Sequence, residues 1–254
     1  MISRDELARY WADYLSVDEF TDYVPNGLQV EGRSAISRVC SAVTASEEVI
    51  EEAIARQADA LVVHHGFFWK NEPSVLLGMK KRRLALLLQH DLNLFSYHLP
   101  LDCHPVVGNN ACFAKQLAVS SRIETHQVGT NKHLLWTGQL SVPMTGSEFA
   151  DWILQCLNRK PHHIVAHTTK TISRVAWCTG AAQDLITQAA SLGVDAYLSG
   201  EMSERTYDQA RELGVHYYSC GHYASERYGV KALGDELHAR FGVEHVFIAS
   251  ENPI

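Results

Sequence analysis

The chain is 254 residues long and lacks any apolar run near the ~20 residues that a membrane-spanning helix requires. No G-x-G-x-x-G or G-x-x-x-x-G-K-[ST] occurs, so neither a Rossmann dinucleotide site nor a P-loop is indicated, and the G-x-S-x-G nucleophile elbow is also missing. The six cysteines (Cys40, Cys103, Cys112, Cys156, Cys178 and Cys220) form no C-x-x-C pair, which predicts reduced thiols in a cytoplasmic protein. Positive charge is in deficit, with 22 Lys+Arg against 29 Asp+Glu and a net charge of -7, so the surface as a whole is not built to attract nucleic acid or an anionic membrane. The one dense basic patch, Lys80-Lys81-Arg82-Arg83, reads as a solvated helix start. Low-complexity and linker-like segments are absent, and the charged N-terminus reads as a capped amphipathic helix over 3–15, not a signal peptide.

What is present is an alternation of strand and helix signals. Strands are predicted at Val39–Val43, Ala60–Val63 and Leu92–Tyr97, with helices at Ser46–Arg56 and Met79–His90 between them. A second run follows: strands at Arg174–Thr179, Asp195–Ser199 and Val215–Cys220, helices at Gln183–Leu192 and Arg205–Leu213. A helix over Ala232–Phe241 and a strand at His245–Ile248 close the chain. Such alternation predicts an α/β fold with βαβ units and mixed or largely parallel sheets. Moving Ile36–His65 by 136 positions onto Ile172–Glu201 without a gap gives nine identities in thirty, including Ile-Ser-Arg-Val and Asp59-Ala60 on Asp195-Ala196. A shift of 124 places His98-x-x-x-Asp102 on His222-x-x-x-Glu226. We therefore expect two duplicated α/β repeats, at 1–120 and 171–254. Residues 121–170 form an αβ insertion or the start of a second domain, with a strand at Leu134–Val142, a helix at Glu148–Leu157 and a short strand at His162–His167.

Fourteen histidines raise the prior for a metal or for acid–base chemistry, and the ones that matter sit at strand ends, where α/β folds place their sites. Leu61-Val62-Val63-His64-His65-Gly66-Phe67-Phe68-Trp69 ends a strand in two histidines, a glycine and three aromatics. His98 with Asp102, Glu201, and His222 with Glu226 supply the other candidates. Strand alternation sends adjacent side chains to opposite faces, so His64 and His65 either leave one idle or serve two ions. A helix beginning near His222 puts Glu226 on the same face one turn later, and a carboxylate there can bridge two metals ~3.5–4 Å apart. Histidines with carboxylates and no obligatory thiolate suit zinc, manganese, iron, cobalt or nickel, with coordination positions left for water or substrate. His98 is a ligand or an orienting partner of one, and Glu201, at the repeat position of His65, is a candidate proton acceptor. His104 reads as a loop residue, Cys103 and Cys220 as passive thiols, His126, His133, His162, His163 and His167 as surface residues, and Asn26-Gly27 as a turn.

The motifs Pro25-Asn26-Gly27-Leu28-Gln29-Val30, Val63-His64-His65-Gly66, His98-Leu99-Pro100-Leu101-Asp102 and Gly221-His222-x-x-x-Glu226 resemble those of the GTP cyclohydrolase I type 2 homologues, the YbgI-like group of dinuclear-metal proteins. The resemblance runs through nearly the whole chain. It implies two intertwined α/β repeats, assembly as a ring-shaped homohexamer, and two divalent metal ions per chain. By motif the ligands would be His64, His65, Asp102, His222 and Glu226, with Glu226 bridging.

Two functions are carried forward from these readings. The first is a metal-dependent hydrolase of GTP or a related nucleotide or purine compound. In cyclohydrolase chemistry, metal-activated hydroxide would add at C8 of guanine and open the imidazole ring, with Glu201 or His98 moving protons; phosphoester cleavage would use the same ions. The alternative is a non-enzymatic, ring-forming, metal-binding interaction protein.

Overall fold

The structure, a computed structural model, describes residues 1–166 and 170–254. Its contacts divide the chain into two units: Met1–Gly108 with Gly229–Glu251, and Asn109–Tyr228 with Asn252–Ile254.

The first unit opens with β1 (Ile2–Ser3) and α1 (Arg4–Tyr14). The Ser3 side chain caps α1 by accepting from the Glu6 N–H, and Leu7, Trp11 and Leu15, four residues apart, bury one face of it. There follow β2 (Gly27–Val30), β3 (Ala35–Ile36), β4 (Arg38–Thr44), α2 (Glu47–Ala55), β5 (Ala60–His65), α3 (Gly78–Gln89), β6 (Asn93–Ser96) and the short α4 (Leu99–Cys103). Strands β4, β5 and β6 lie side by side and parallel, with β2 antiparallel on the β6 edge. Both faces of β5 are covered, as its uninterrupted apolar run Ala60–Val63 requires. Strand β5 also runs two residues past its predicted end, so His64 and His65 belong to it.

The second unit contains α5 (Asn109–Gln116), β7 (Ser121–Val128), β8 (Asn131–Met144), α6 (Gly146–Leu157), β9 (His162–Ile164), β10 (Ile172–Trp177), α7 (Ile186–Ser191), β11 (Ala196–Ser199), α8 (Glu204–Leu213), β12 (His216–Ser219) and the start of α9 (His222–Phe241). Its sheet runs β7-β8-β10-β11-β12-β9, parallel through β10-β11-β12 and antiparallel at the other three pairings. The predicted strand at 162–167 is three residues long, and His167 lies outside the described residues. Helix α9 starts ten residues before the predicted start at Ala232 and continues into the first unit, where β13 (Glu244–Phe247) pairs with β4. Gly229 weakens the helix signal in this stretch, and Gly234 does so further along the helix. Gly234 is there for packing, since a Cβ would collide with the His245 ring, whose Nε2 lies 2.7 Å from the Ser41 hydroxyl.

The chain is thus a mixed α/β protein with two mixed sheets. Parallel pairing joins four strands, β13-β4-β5-β6, in the first sheet and three, β10-β11-β12, in the second, and antiparallel strands flank those runs.

Candidate metal centre

In the first unit, β5 delivers the histidine pair. Pairing with β6 stops at Val63 while pairing with β4 continues to His65, and over this last stretch the two rings converge to a centroid separation of 4.6 Å. Strand alternation alone would send these rings to opposite faces, and the strand end brings them close together. His64 is fully buried; its Nδ1 donates to the Tyr97 carbonyl at 2.9 Å, and its Nε2 lies 3.5 Å from Asp102 Oδ1. His65 Nδ1 lies 3.2 Å from the Thr44 hydroxyl. His98 joins them with its ring 5.0 Å from His64, and one nitrogen of each of the three rings falls within 4.8 Å of the others, a spacing that could hold an ion. Asp102 follows one turn later on α4, 5% exposed.

Sequence reasoning missed the groups that fix His98. Its Nδ1 donates to the buried Asp22 carboxylate at 3.0 Å, which also accepts from the Leu99 N–H. Burial alone would raise the Asp22 carboxyl, but the His98 bond and its neighbours hold it below the usual carboxylate range. Asn26 is more than a turn residue: its Oδ1 accepts from the His98 N–H at 2.7 Å and its Nδ2 donates to Asp22. Gln29 clamps the loop after the histidines, accepting from the Phe67 N–H at 2.7 Å and donating to the Phe67 carbonyl at 3.1 Å. Gly66 is needed for that clamp, because a Cβ would collide with the Gln29 carboxamide. The one signal in the sequence was the density of amide side chains in Pro25-Asn26-Gly27-Leu28-Gln29-Val30, which spacing alone could not connect to residues seventy positions away.

In the second unit, His222 begins α9 and stands between two carboxylates. Its Nδ1 donates to Glu201 Oε1 at 2.6 Å, and its Nε2 lies 2.9 Å from Glu226 Oε2 one turn along the helix. Burial pushes the imidazolium down, but Glu226 and Glu201 together hold its pKa up at about 9. Glu201 is itself positioned by the Tyr217 hydroxyl, which donates to its backbone carbonyl. Gly180, at φ +71°, makes room for the Glu226 carboxylate, which a Cβ would strike. The hydroxyl of Ser225 ties this turn together, donating to the His222 carbonyl and accepting from the Gly180 N–H.

The three histidines of the first unit are spaced to hold an ion, and the imidazole and carboxylate donors of both units are of the type that divalent ions take. For His64, His98 and His222 the Nδ1 partner is a carbonyl or carboxylate, which can only accept. In the neutral ring the proton therefore sits on Nδ1 and the lone pair on Nε2, the form in which histidine ligates with an oriented outer partner. Asp102 and Glu226, at 5% and 3% exposure, are carboxylates whose burial calls for a cation or protons.

The remaining candidates lie elsewhere. His104 follows α4 and accepts from the Val106 and Val107 N–H groups through Nδ1. Burial pushes the Cys103 and Cys220 thiols far up, consistent with passive roles. In the basic patch, Lys80 pairs with Glu72 and Arg82 with Glu47. His162 and His133 are exposed, but His163 is not a surface residue: it stacks on Tyr218 at 4.3 Å and its Nε2 lies 3.0 Å from His216 Nδ1.

Fold and donors together define the class: a mixed α/β protein with buried histidine–carboxylate clusters that could hold metal ions. Residues 2–253 match the sequence profile of Duf34/NIF3 (NGG1p interacting factor 3), and the chain belongs to that family. A GTP cyclohydrolase 1 type 2 homolog of Allochromatium vinosum is 51% identical over 248 residues, 98% of this chain and 96% of the relative. The Vibrio cholerae homolog of the same name is 50% identical over 241 residues, 94% and 95% of the two chains. Among solved structures, the protein ybgI, described as of unknown function, matches with a TM-score of 0.95 at 42% identity over the full length of both chains. No helix among the described residues is long and apolar enough to cross a membrane.

Proposed function

We propose that this chain is a metal-dependent hydrolase of GTP or a related nucleotide or purine compound. It would bind two divalent ions per chain through His64, His65, Asp102, His222 and Glu226. The observation that carries the reading is the Nδ1 partner shared by His64, His98 and His222: each Nδ1 is committed to a protein acceptor, which leaves Nε2 to ligate, and for His64 and His222 that nitrogen lies beside a buried carboxylate. The printed name of the relatives, GTP cyclohydrolase 1 type 2 homolog, supports the substrate class.

When bound, such ions would polarise a substrate oxygen and bring the pKa of water toward ~7. The chain's own residues do the rest. Asp22 holds the His98 ring in one orientation through Nδ1, so proton transfer at this histidine falls to Nε2. Glu201 fixes His222 through Nδ1 and takes up proton charge from it. The family resemblance further supports a ring-shaped hexamer in the cytoplasm, which light scattering on the purified protein would measure.

The test is elemental analysis of the parent beside His64→Ala and Glu226→Ala, followed by an assay for ring opening of GTP with the metal found. We expect near two ions per chain in the parent, fewer in both variants, and turnover only in the parent. A parent that never exceeds one ion under excess metal would overturn the two-metal reading. Turnover unaffected by loss of the ions would overturn the hydrolase reading.

A further inference from the structure

The three aromatics after the histidine pair play no part in metal binding, and the structure gives each a different fate. Phe67 is buried in the core of the first unit. Phe68, 39% exposed, adopts φ +67°, a conformation that a bulky residue holds only when its surroundings over-determine it. Those surroundings include the Glu72 carboxylate, which accepts the Phe68 N–H at 2.7 Å, and Lys80, whose ammonium lies 5.2 Å from the ring. The result is to set Trp69 beside the donors. Its indole N–H is committed to the Gly66 carbonyl at 3.2 Å, and its ring lies 5.9 Å from His65 and edge-on to His98 at 5.5 Å.

A second aromatic arrives from a different part of the chain. Tyr23, next to the Asp22 that holds His98, is 53% exposed and lies 5.6 Å from the Trp69 ring and 5.1 Å from the His98 ring. The two loops are joined by the Lys70 N–H donating to the Tyr23 carbonyl at 2.9 Å and by the Gln29 clamp on Phe67. Backbone bonds and a carboxamide therefore fix the two loops, with the Tyr23 ring exposed and the Trp69 ring half-buried. An exposed phenol beside a half-buried indole, with their backbone fixed, presents broad faces at little entropic cost, the properties of a contact surface for planar ligands. Tilted at 36° to each other, they do not form a closed parallel stack.

We propose that Tyr23 and Trp69 form a stacking platform for the planar heteroaromatic ring of the substrate, a purine base, and that they select it. This rests on the nucleotide-hydrolase reading above and assigns the residues that would recognise the base. Stacking is indifferent to phosphate number, so the platform would accept purine nucleosides and nucleotides alike, and would not hold a ribose phosphate without a base.

The experiment is calorimetric titration of guanosine 5′-monophosphate and of ribose 5-phosphate into the full chain, with and without added metal. It would be run on the parent, Tyr23→Ala, Trp69→Ala and the conservative Tyr23→Phe and Trp69→Phe, with metal content measured for each. We expect the parent to bind the nucleotide more tightly than the sugar phosphate. Each alanine variant should lose roughly tenfold or more in nucleotide affinity, while the phenylalanine variants stay near the parent and metal content does not change. Equal affinity for the two ligands in the parent, no nucleotide binding at all, or alanine variants that bind like the parent would overturn the platform. Base-dependent binding without turnover would leave the platform standing and remove the hydrolase reading. Turnover of a ligand without a base would do the reverse.

Discussion

The two units carry the same αβ frame and use its strand ends differently. In the first, Asp59 accepts from the Ser37 and Arg38 N–H groups, and Arg38 donates to the Arg56 carbonyl. Moved on by 136 residues, Asp195 accepts from Ser173 and Arg174, and Arg174 donates to the Leu192 carbonyl. The third strands correspond as well, with Ser96 donating to the His64 carbonyl and Ser219 to that of Gly200. Even the antiparallel edge recurs, β2 beside β6 and β9 beside β12. The strand ends then diverge. Where one frame has a fully buried His64, the other has Gly200, whose Cβ would meet the Gly180 carbonyl at 2.7 Å and the His222 Cα at 2.8 Å. The first frame thus collects histidine rings at its strand ends, and the second sets one histidine between two carboxylates. Backbone bonds are common to the two frames, and the chemistry lies in a few side chains added to each.

The sharpest way to break this comparison is to force the second frame to imitate the first. Gly200→His has nowhere to put its side chain, because the atoms in the way are backbone and cannot swing aside. Adding even a few methylenes to a packed site costs about 1–3 kcal/mol, and a whole imidazole against backbone should exceed what a domain stable by about 5–15 kcal/mol tolerates. We expect no folded protein by circular dichroism. A folded Gly200→His variant with the parent's melting temperature would show the strand ends to be interchangeable.

A matched pair of substitutions sharpens the comparison at lower cost. Asp59→Asn and Asp195→Asn each remove a charge from an acceptor of two backbone N–H groups, a loss of about 1.5–3 kcal/mol by the scale of hydrogen bonds to charged groups. Asp59 should be the more damaging, since it also accepts from the Ser37 hydroxyl and pairs with Arg33 at 3.1 Å. Burial alone would raise its carboxyl, but the Ser37 and Arg38 N–H groups hold it below the ordinary 3.8. That contribution is complete above 3.8 and is lost as pH falls through the lower folded value. Urea unfolding at neutral pH should therefore rank Asp59→Asn below Asp195→Asn and both below the parent, with the Asp59→Asn deficit shrinking below about pH 3.8.

How much of this was legible in the sequence follows from what spacing can report. The parallel core of each frame was legible because each βαβ unit is local and repeats its own pattern. The edges were not. Strand β7 forms a hairpin with its neighbour β8 but is mostly exposed and so carries little apolar pattern, the antiparallel role of β9 depends on β12 far along the chain, and Gly229 interrupts the helix signal of α9 ahead of Ala232. The donors at strand ends stood out as His-His and as His-x-x-x-carboxylate repeats. Their orienting partners Asp22, Tyr97 and Thr44 did not, being common residues whose meaning depends on a fold that brings distant segments together.

The edge strands offer the mildest test, because topologically matching strands have been put to different uses. Strand β2 follows Asn26 and carries Gln29, the amides that hold the first frame's loops, whereas β9 carries His163 against His216 on β12. Burial and the neighbouring His216 push the His163 imidazolium down to about 4, and burial also lowers His216 against the opposing pull of Asp195. A histidine whose folded pKa is depressed binds fewer protons folded than unfolded, so stability falls as pH drops from about 6.5 toward 4 and is fully present above that window. His163→Phe preserves a ring to stack on Tyr218 and removes the titration of residue 163 while leaving that of His216. Melting temperatures measured from pH 7.5 down to 4.5 should fall less steeply in His163→Phe than in the parent, by about 2–4 °C at the acid end if the half-buried pair is worth about 1 kcal/mol. Parallel curves would mean that β9 leaves its sheet before the histidines titrate, and that this edge, unlike β2, holds nothing in place.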